Sequence, residues 1–286
     1  MIDPSSLYAL IGQLAPLDCL QPRFMQQALV GLLLMAPMAA VMGIMVINFR
    51  MAFFADAISH SAFAGVALGL CLSLDPNWTM PVFGVLAGLG IVVLQRHSRL
   101  SRDTVIGVFF SAIVAFGLAM VSRSPSLARD MQIFLYGDIL TINDSQLVAL
   151  SALFVCLATF LYIAYNHLLY IGLHPGLARA HRVRTACYQY IFAALLALLV
   201  MFSVRAIGVL LVTALLIVPA AAARNLARSA GAMFWWALTI GTSSAVAGLI
   251  LSAQPWARTA TGATIILVAC GWFLLSLSVV ARRGGG

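Results

Sequence analysis

Residues 54–65 read FADAISHSAFAG, and they place a carboxylate and an imidazole inside an apolar stretch that is long enough to cross a membrane. Asp56 and His60 are four residues apart, so on a helix they share one face. An ionisable side chain is costly in lipid and usually faces a partner or a polar path. Divalent metal ions bind carboxylate oxygen and imidazole nitrogen, so the pair favours a metal site in a membrane helix.

The composition of the whole chain indicates an integral membrane protein. Of its 286 residues, 63% are hydrophobic and 8% are charged, and the mean hydropathy is +1.05; a soluble domain carries about 25% charged residues. Apolar runs and helix breakers predict nine spans, most of them near the ~20 residues that a helix needs to cross. The spans are 27–48, 51–73, 80–96, 103–122, 146–171, 186–203, 206–223, 232–252 and 262–281.

The domain organisation follows from these spans. No long polar linker separates them, so a single transmembrane domain is predicted over 24–283. Residues 1–23 are predicted to form an N-terminal extracytoplasmic or interfacial segment, and 284–286 a flexible glycine tail. The turn before the second span, at 48–50, and the break between spans six and seven, at 203–206, are both predicted to be very tight.

All 16 basic residues are arginines, and they give a net charge of +8. In a soluble protein this excess would suggest nucleic acid. Here the arginines lie between hydrophobic spans, where they set the orientation in the membrane, and no nucleic-acid partner is expected. The chain is predicted to lie in the inner membrane with its N-terminus outside and its C-terminus in the cytoplasm. In this orientation 11 of the 16 arginines are on the cytoplasmic side. These are Arg50, Arg96, Arg99, Arg102, Arg179, Arg182, Arg184, Arg224, Arg228, Arg282 and Arg283.

The sequence contains no lysine and no glutamate, which excludes several enzyme classes. A P-loop needs a lysine that reaches the nucleotide phosphates, so any ATP used here is hydrolysed by another chain. A metalloprotease of the HExxH type needs glutamate, and no GxSG string indicates a nucleophilic serine. The chain is therefore predicted to be a transport subunit without catalytic residues or cofactor.

Residues 123–145 interrupt the series of spans. Residues 130–140 read DMQIFLYGDIL, which is too short to cross the membrane and apolar enough to leave water. A re-entrant or interfacial segment is predicted, with Asp138 near the outer face. The residue types leave two roles open for Asp138, which are a helix cap beside Gly137 and a metal ligand at the mouth of a path.

A second short segment lies between spans five and six, where residues 172–184 read GLHPGLARAHRVR. Pro175 suits the first turn of a short helix. An amphipathic helix here can lie on lipid headgroups or dock onto a soluble protein. Loop composition leaves these two alternatives open.

Together, four stretches resemble the ABC-3 family of permeases, the membrane subunits of zinc and manganese ABC importers. The stretches are 50–69, 134–140, 175–183 and 208–221. The resemblance implies an all-α, polytopic membrane protein of about nine transmembrane helices with a core like that of a type II ABC importer. It also implies a homodimer with two cytoplasmic ATPase subunits and an extracytoplasmic metal-binding protein.

The resemblance further implies roles for individual residues. Asp56 and His60 would line the translocation path for Zn²⁺ or Mn²⁺, with Asp138 as a third candidate ligand. The inner loop over 175–183 would be the coupling helix that inserts into a groove of the ATPase. The candidate coupling residues are Pro175, Leu177, Ala178, Arg179, Ala180, His181 and Arg182.

Several alternatives stay open at this point. Asp56 and His60 could form an interhelical hydrogen-bonded pair that fixes packing, worth about 1 kcal/mol. Thr213 in span seven is either a pore-lining hydroxyl or bonded to its own backbone. A permease for metal chelates of the siderophore or cobalamin type, and a gradient-driven metal transporter, compete with an ATP-driven importer. Affinity order favours Zn²⁺, but Mn²⁺ and Fe²⁺ use the same ligands.

Overall fold

The computed structural model describes residues 20–122, 139–257 and 259–284, and in this part of the chain the regular secondary structure is helical. The long helices coincide with the apolar runs of the sequence, as expected where backbone groups must be satisfied within each segment. The helices are α1 (Arg23–Asn48), α2 (Phe54–Cys71), α3 (Pro76–His97), α4 (Arg102–Val121), α5 (Asp144–Leu173), α6 (Pro175–Ala180), α7 (Thr185–Ile207), α8 (Val209–Leu226), α9 (Ala230–Ser252) and α10 (Thr261–Gly284).

Nine of the described helices, all except α6, are long and apolar enough to cross a membrane. This confirms the predicted all-α, multi-pass architecture and the number of spans. A short 3-10 turn at Ile139–Thr141 precedes α5. The predictions for Asp138, for the segment 123–138 and for residues 1–19 lie outside the described residues.

The start of α3 differs from the prediction. The sequence predicts the third span over 80–96, but this helix already begins at Pro76. Asp75 is the N-cap of α3, where its carboxylate accepts a hydrogen bond of 2.9 Å from the backbone N–H of Asn77, and Pro76 occupies the first helical position. Aspartate at the N-cap followed by proline is a helix start signal. Helix α3 therefore begins four residues earlier than predicted.

Three helices end on a residue other than glycine in the left-handed region. Arg50, Ser73 and Arg182 have φ angles of 54°, 55° and 56°. In each case the next N–H donates back to a carbonyl five residues earlier, as Val183 does to Ala178 at 3.1 Å. This is the Schellman end of a helix. It confirms the tight turn at 48–50, and it ends α6 at Ala180, three residues before the predicted boundary.

The break between α7 and α8 is shorter and later than the predicted break at 203–206. Helix α7 continues to Ile207, and α8 begins at Val209. Gly208 alone separates them, with φ of 83° and ψ of 165°. This conformation is accessible to glycine because it has no Cβ.

The described chain forms two compact units. One contains residues 42–122 and 157–213. Within it α2 packs against α3, α4 and α7, and α3 also packs against α7. At Gly65, an added Cβ would lie 3.0 Å from the Cα of Met80 and 3.0 Å from the Cβ of Phe83. The absence of a side chain lets α2 and α3 approach closely.

The other unit contains described residues 20–41, 139–156 and 214–284. Within it α9 packs against α10. A polar clip joins the first turns of α1 and α5, because the Asp144 carboxylate accepts hydrogen bonds of 2.8 Å from Arg23 Nη2 and from Gln27 Nε2. Both carboxylate oxygens of Asp144 are thus bound by side chains of α1.

Candidate functional site

Helix α2 is buried over most of its surface, and the half-buried side chains of its first three turns form one stripe. Asp56, His60 and Phe63 are only partly covered, and their spacing of four and three residues places them on one face. The residues beside and between them in the sequence include five whose side chains are fully buried, namely Ala55, Ala57, Ile58, Ser59 and Ser61. The carboxylate and the imidazole of α2 therefore lie on the accessible side of a helix that is otherwise enclosed by its neighbours.

Asp56 occupies the first turn of α2. A carboxylate near a helix N-terminus is stabilised by the helix dipole. His60 is its titratable neighbour on α2, and the Thr213 hydroxyl of α8 lies near it. In the described part of the chain, the only ion pair within 4.0 Å is that of Arg23 with Asp144. The Asp56 carboxylate thus has no cation at contact distance among these residues.

Thr213 lies in the second turn of α8, near Asp56 of α2. Its hydroxyl donates a hydrogen bond of 3.2 Å to the carbonyl oxygen of Leu210 in its own helix. The structure therefore shows the backbone-bonded alternative for Thr213, and a role as a pore-lining hydroxyl stays a prediction.

His60 contacts an aromatic side chain of α4. Its ring centre lies 5.2 Å from that of Phe110, with an angle of 76° between the ring planes. No hydrogen bond to a described residue occupies either ring nitrogen of His60. The edge contact packs the imidazole of α2 against α4. Phe110 was not identified from the sequence, because nothing in its local pattern distinguishes it from other apolar residues of α4.

The arrangement offers a cation one carboxylate and one imidazole. Among the residues that the structure describes, no group of three or more His, Cys, Asp and Glu side chains comes together. A structural Zn²⁺ site is closed by four protein ligands. Two partly buried candidate ligands alone would make an incomplete site, of the kind suited to an ion that must bind and leave. Asp138 lies outside the described residues.

The predicted coupling segment forms α6, which packs against α7. Ala178 is fully buried, whereas Ala180, His181 and Arg182 are exposed. The ring of His181 lies 6.1 Å from that of Tyr170 at an angle of 62°. One side of α6 is therefore held by the membrane helices, and its C-terminal end is accessible.

Among the described residues, nine helices of membrane-spanning length define the class of the protein, which is a multi-pass membrane protein. The chain belongs to the ABC 3 transport family, whose model matches residues 21–280. Its position in this family makes it a permease subunit and not an enzyme.

Two relatives show the breadth of the family. The high-affinity zinc uptake system membrane protein ZnuB of Haemophilus influenzae is 32% identical over 257 residues, which cover 90% of this chain and 97% of the relative. The manganese transport system membrane protein MntC of Listeria innocua is 30% identical over 265 residues, which cover 93% of this chain and 94% of the relative.

The fold is also similar to that of a solved structure. PsaBC from Streptococcus pneumoniae in complex with Fab matches with a TM-score of 0.76 and 29% identity, and the match covers 95% of each chain. The similarity extends over nearly the whole length, so the order of the helices is that of an ABC permease.

Proposed function

We propose that the protein is the permease of an ATP-driven importer of divalent metal ions, and that the ion passes along the accessible stripe of α2. Asp56 supplies the negative charge that offsets part of the cost of bringing a cation into the membrane. His60 supplies a nitrogen ligand on the same face. The observation that carries the proposal is the half-buried Asp56 carboxylate, which has no cationic partner among the described side chains.

Zn²⁺ is the favoured substrate, and Mn²⁺ and Fe²⁺ are the alternatives. The relatives named above are a zinc and a manganese protein, so family membership alone leaves the metal open. Imidazole nitrogen is a better ligand for Zn²⁺ than for Mn²⁺, and the general affinity order also favours zinc. A complete import system would add selectivity through an extracytoplasmic metal-binding protein that delivers the ion.

The assembly that fits this function contains two copies of the chain. Zn²⁺ binds about four ligands, and one chain offers two at the α2 stripe. A homodimer would supply a second Asp56 and His60, while Asp138 or water would complete the shell. The permease would lie in the inner membrane with its N-terminus outside and its C-terminus in the cytoplasm, as the arginine distribution favours.

Energy would come from two cytoplasmic ATPase subunits, because the chain lacks the lysine of a P-loop. Helix α6 is the proposed coupling helix, with Ala180 at its accessible end. Ala180→Asp should weaken co-purification of the ATPase, since it places a charge in the docking surface. Gly231→Asp, at the start of α9, is the control because a Cβ there meets nothing within 4 Å. Equal recovery of the ATPase with Ala180→Asp and with the wild type would exclude α6 as the docking element.

The test of transport is uptake of radiolabelled zinc and manganese by vesicles that contain the permease with and without its ATPase. Asp56→Ala and His60→Ala should each reduce uptake at least about a hundredfold, because a lost ligand raises the barrier by several kcal/mol. Asp103→Ala is the matched control, since Asp103 also lies in the first turn of a spanning helix, α4, and is exposed.

Three other outcomes would assign the function differently. Rapid gradient-driven uptake without the ATPase would identify a secondary transporter. Uptake of an intact metal chelate in preference to the free ion would identify a chelate permease. Normal uptake by both alanine variants would return Asp56 and His60 to the role of a packing pair, which is worth about 1 kcal/mol.

A further inference from the structure

A cavity of about 50 Å³ opens at the ends of four helices in the unit that contains α2. It lies where the turn after α1 meets the end of α3, the start of α4 and the first turns of α7. Its apolar wall includes Phe49 and Phe192, whose ring centres lie 5.3 Å apart in an edge contact. Its polar wall includes Arg96, Arg102 and Gln189. The proposed metal path uses none of these residues.

The arginines at this cavity have no carboxylate partner among the described residues. Arg102 Nη1 donates a hydrogen bond of 2.8 Å to the carbonyl oxygen of Phe49, and the charged neighbour of Arg102 is another cation, Arg50. The Arg96 guanidinium lies 5.7 Å from the centre of the Tyr190 ring. In the described part of the chain, no carboxylate lies within 4.0 Å of Arg50, Arg96 or Arg102. Like charges held together repel, and a bound anion relieves that repulsion.

The size and the position of the cavity restrict the anion. A water molecule needs about 10–15 Å³ of such a cavity, so the space fits the oxygens of one phosphate group. Arg96 and Arg102 lie at the ends of membrane-spanning helices, which is the level of the lipid headgroups. The neighbouring surface is apolar, since Val93, Leu94 and Leu100 are 43%, 46% and 62% exposed. A phosphate in the cavity could therefore carry acyl chains along that surface.

We propose that this cavity binds the phosphate of an anionic phospholipid. Planar guanidinium groups donate paired hydrogen bonds to phosphate oxygens, and Gln189 adds a neutral donor. The bound lipid would connect the turn after α1 with the start of α4, both of which flank α2. This site is independent of the transported metal and needs only the membrane in which the helices lie.

The test counts lipids bound to the purified protein in neutral detergent by native mass spectrometry. Dioleoyl phosphatidylglycerol is the anionic probe, and dioleoyl phosphatidylcholine is the zwitterionic control. Arg96→Gln and Arg102→Gln should each weaken phosphatidylglycerol binding about fivefold, the factor that one basic residue near an anionic surface contributes. Arg99→Gln is the matched control, because it removes the same charge from the same turn but does not line the cavity.

Arg102→Gln also removes the hydrogen bond to Phe49, so Arg96→Gln, which breaks no such bond, provides the independent variant. Equal phosphatidylglycerol binding by the wild type and Arg96→Gln would overturn the proposal, as would an equal loss with Arg99→Gln. Displacement of the lipid by millimolar inorganic phosphate would assign the cavity to a free anion instead. A cross-link from residue 102 to the ATPase in phosphatidylglycerol-containing vesicles would instead assign the cavity to a carboxylate of that protein.

Discussion

Asp144 and Asp56 are both aspartates in the first turn of a membrane-spanning helix, but their surroundings differ. Asp144 binds Arg23 through one oxygen and Gln27 through the other, each at 2.8 Å. Asp56 faces the Thr213 hydroxyl, and no described cation lies within 4.0 Å of it. The helix dipole stabilises each carboxylate to a similar degree, so the difference comes from the neighbouring helices.

The difference separates a carboxylate used for assembly from one that is available to a ligand. The charge of Asp144 is neutralised within the fold, and it ties α5 to α1. The charge of Asp56 has no cationic partner within 4.0 Å among the described side chains, and it lies on the accessible side of a buried helix. An ionisable group in a membrane helix is costly and usually faces a partner or a polar path, and a cation is the partner that the proposed function supplies.

The largest effect is expected from removing each charge without changing the shape. Asp56→Asn should lower metal uptake at least about a hundredfold, because the amide carries no charge to offset dehydration of the ion. Asp144→Asn should keep uptake within about twofold of the wild type, since a surface ion pair contributes only ~0–1 kcal/mol. Uptake by ATPase-containing vesicles, normalised to folded protein, measures both. Equal losses would remove the distinction between the two carboxylates.

The accessible stripe can be tested by comparing two adjacent positions of α2. Ser59 is fully buried, whereas His60 is half-buried and lies about 100° further round the helix. In a cysteine-free background, a thiol at position 60 should react with a water-soluble thiol reagent, because only a hydrated thiolate is reactive. A thiol at position 59 should stay unmodified under the same conditions. Modification of both at similar rates would show that α2 is not held in the orientation described here.

The two carboxylates are also held in place by different forces, which predicts an intermediate effect. Asp56 is positioned by the close packing of α2, so Gly65→Leu should destabilise the protein by about 1–3 kcal/mol through overpacking. Gly271→Leu in α10 is the control, because a Cβ there meets nothing within 4 Å. Thermal unfolding in detergent should show a lower midpoint for Gly65→Leu only. If both variants unfold at the wild-type temperature, packing around Gly65 does not fix α2.

The spans were predictable from sequence because a membrane helix is a long apolar run, and each run maps onto one helix. Their ends were less predictable. Asp75 and Pro76 carry both turn and helix-start signals, and the sequence does not say which applies. Arg182 follows the end of α6 in a conformation that is usually taken by glycine, so the residue types do not predict that the helix ends there.

The candidate site shows the same division. Asp56 and His60 were identifiable because their spacing and their cost in lipid are properties of one helix. The contact of His60 with Phe110 is not, since it depends on how α4 packs against α2. The proximity of Thr213 to Asp56 likewise joins residues far apart in sequence. Tertiary packing therefore decides which polar groups have partners, and local sequence patterns do not predict these contacts.

The smallest expected effect concerns the stability of the polar clip. Asp144→Asn should lower the free energy of unfolding by about 0–1 kcal/mol, because the side chains of Arg23 and Asp144 are 68% and 39% exposed and their attraction is screened by solvent. The loss should shrink in 1 M salt, where the Debye length is ~3 Å. Asp103→Asn is the matched control, since Asp103 lies in the first turn of α4 without an ion pair in the described structure. Thermal unfolding of the three proteins at low and high salt measures the difference. A larger loss of unfolding free energy that does not depend on salt would mean that Asp144 is more deeply buried in the assembled protein than in the single chain. Asp144 and Asp56 would then differ in having an ionic partner and no longer in solvent exposure.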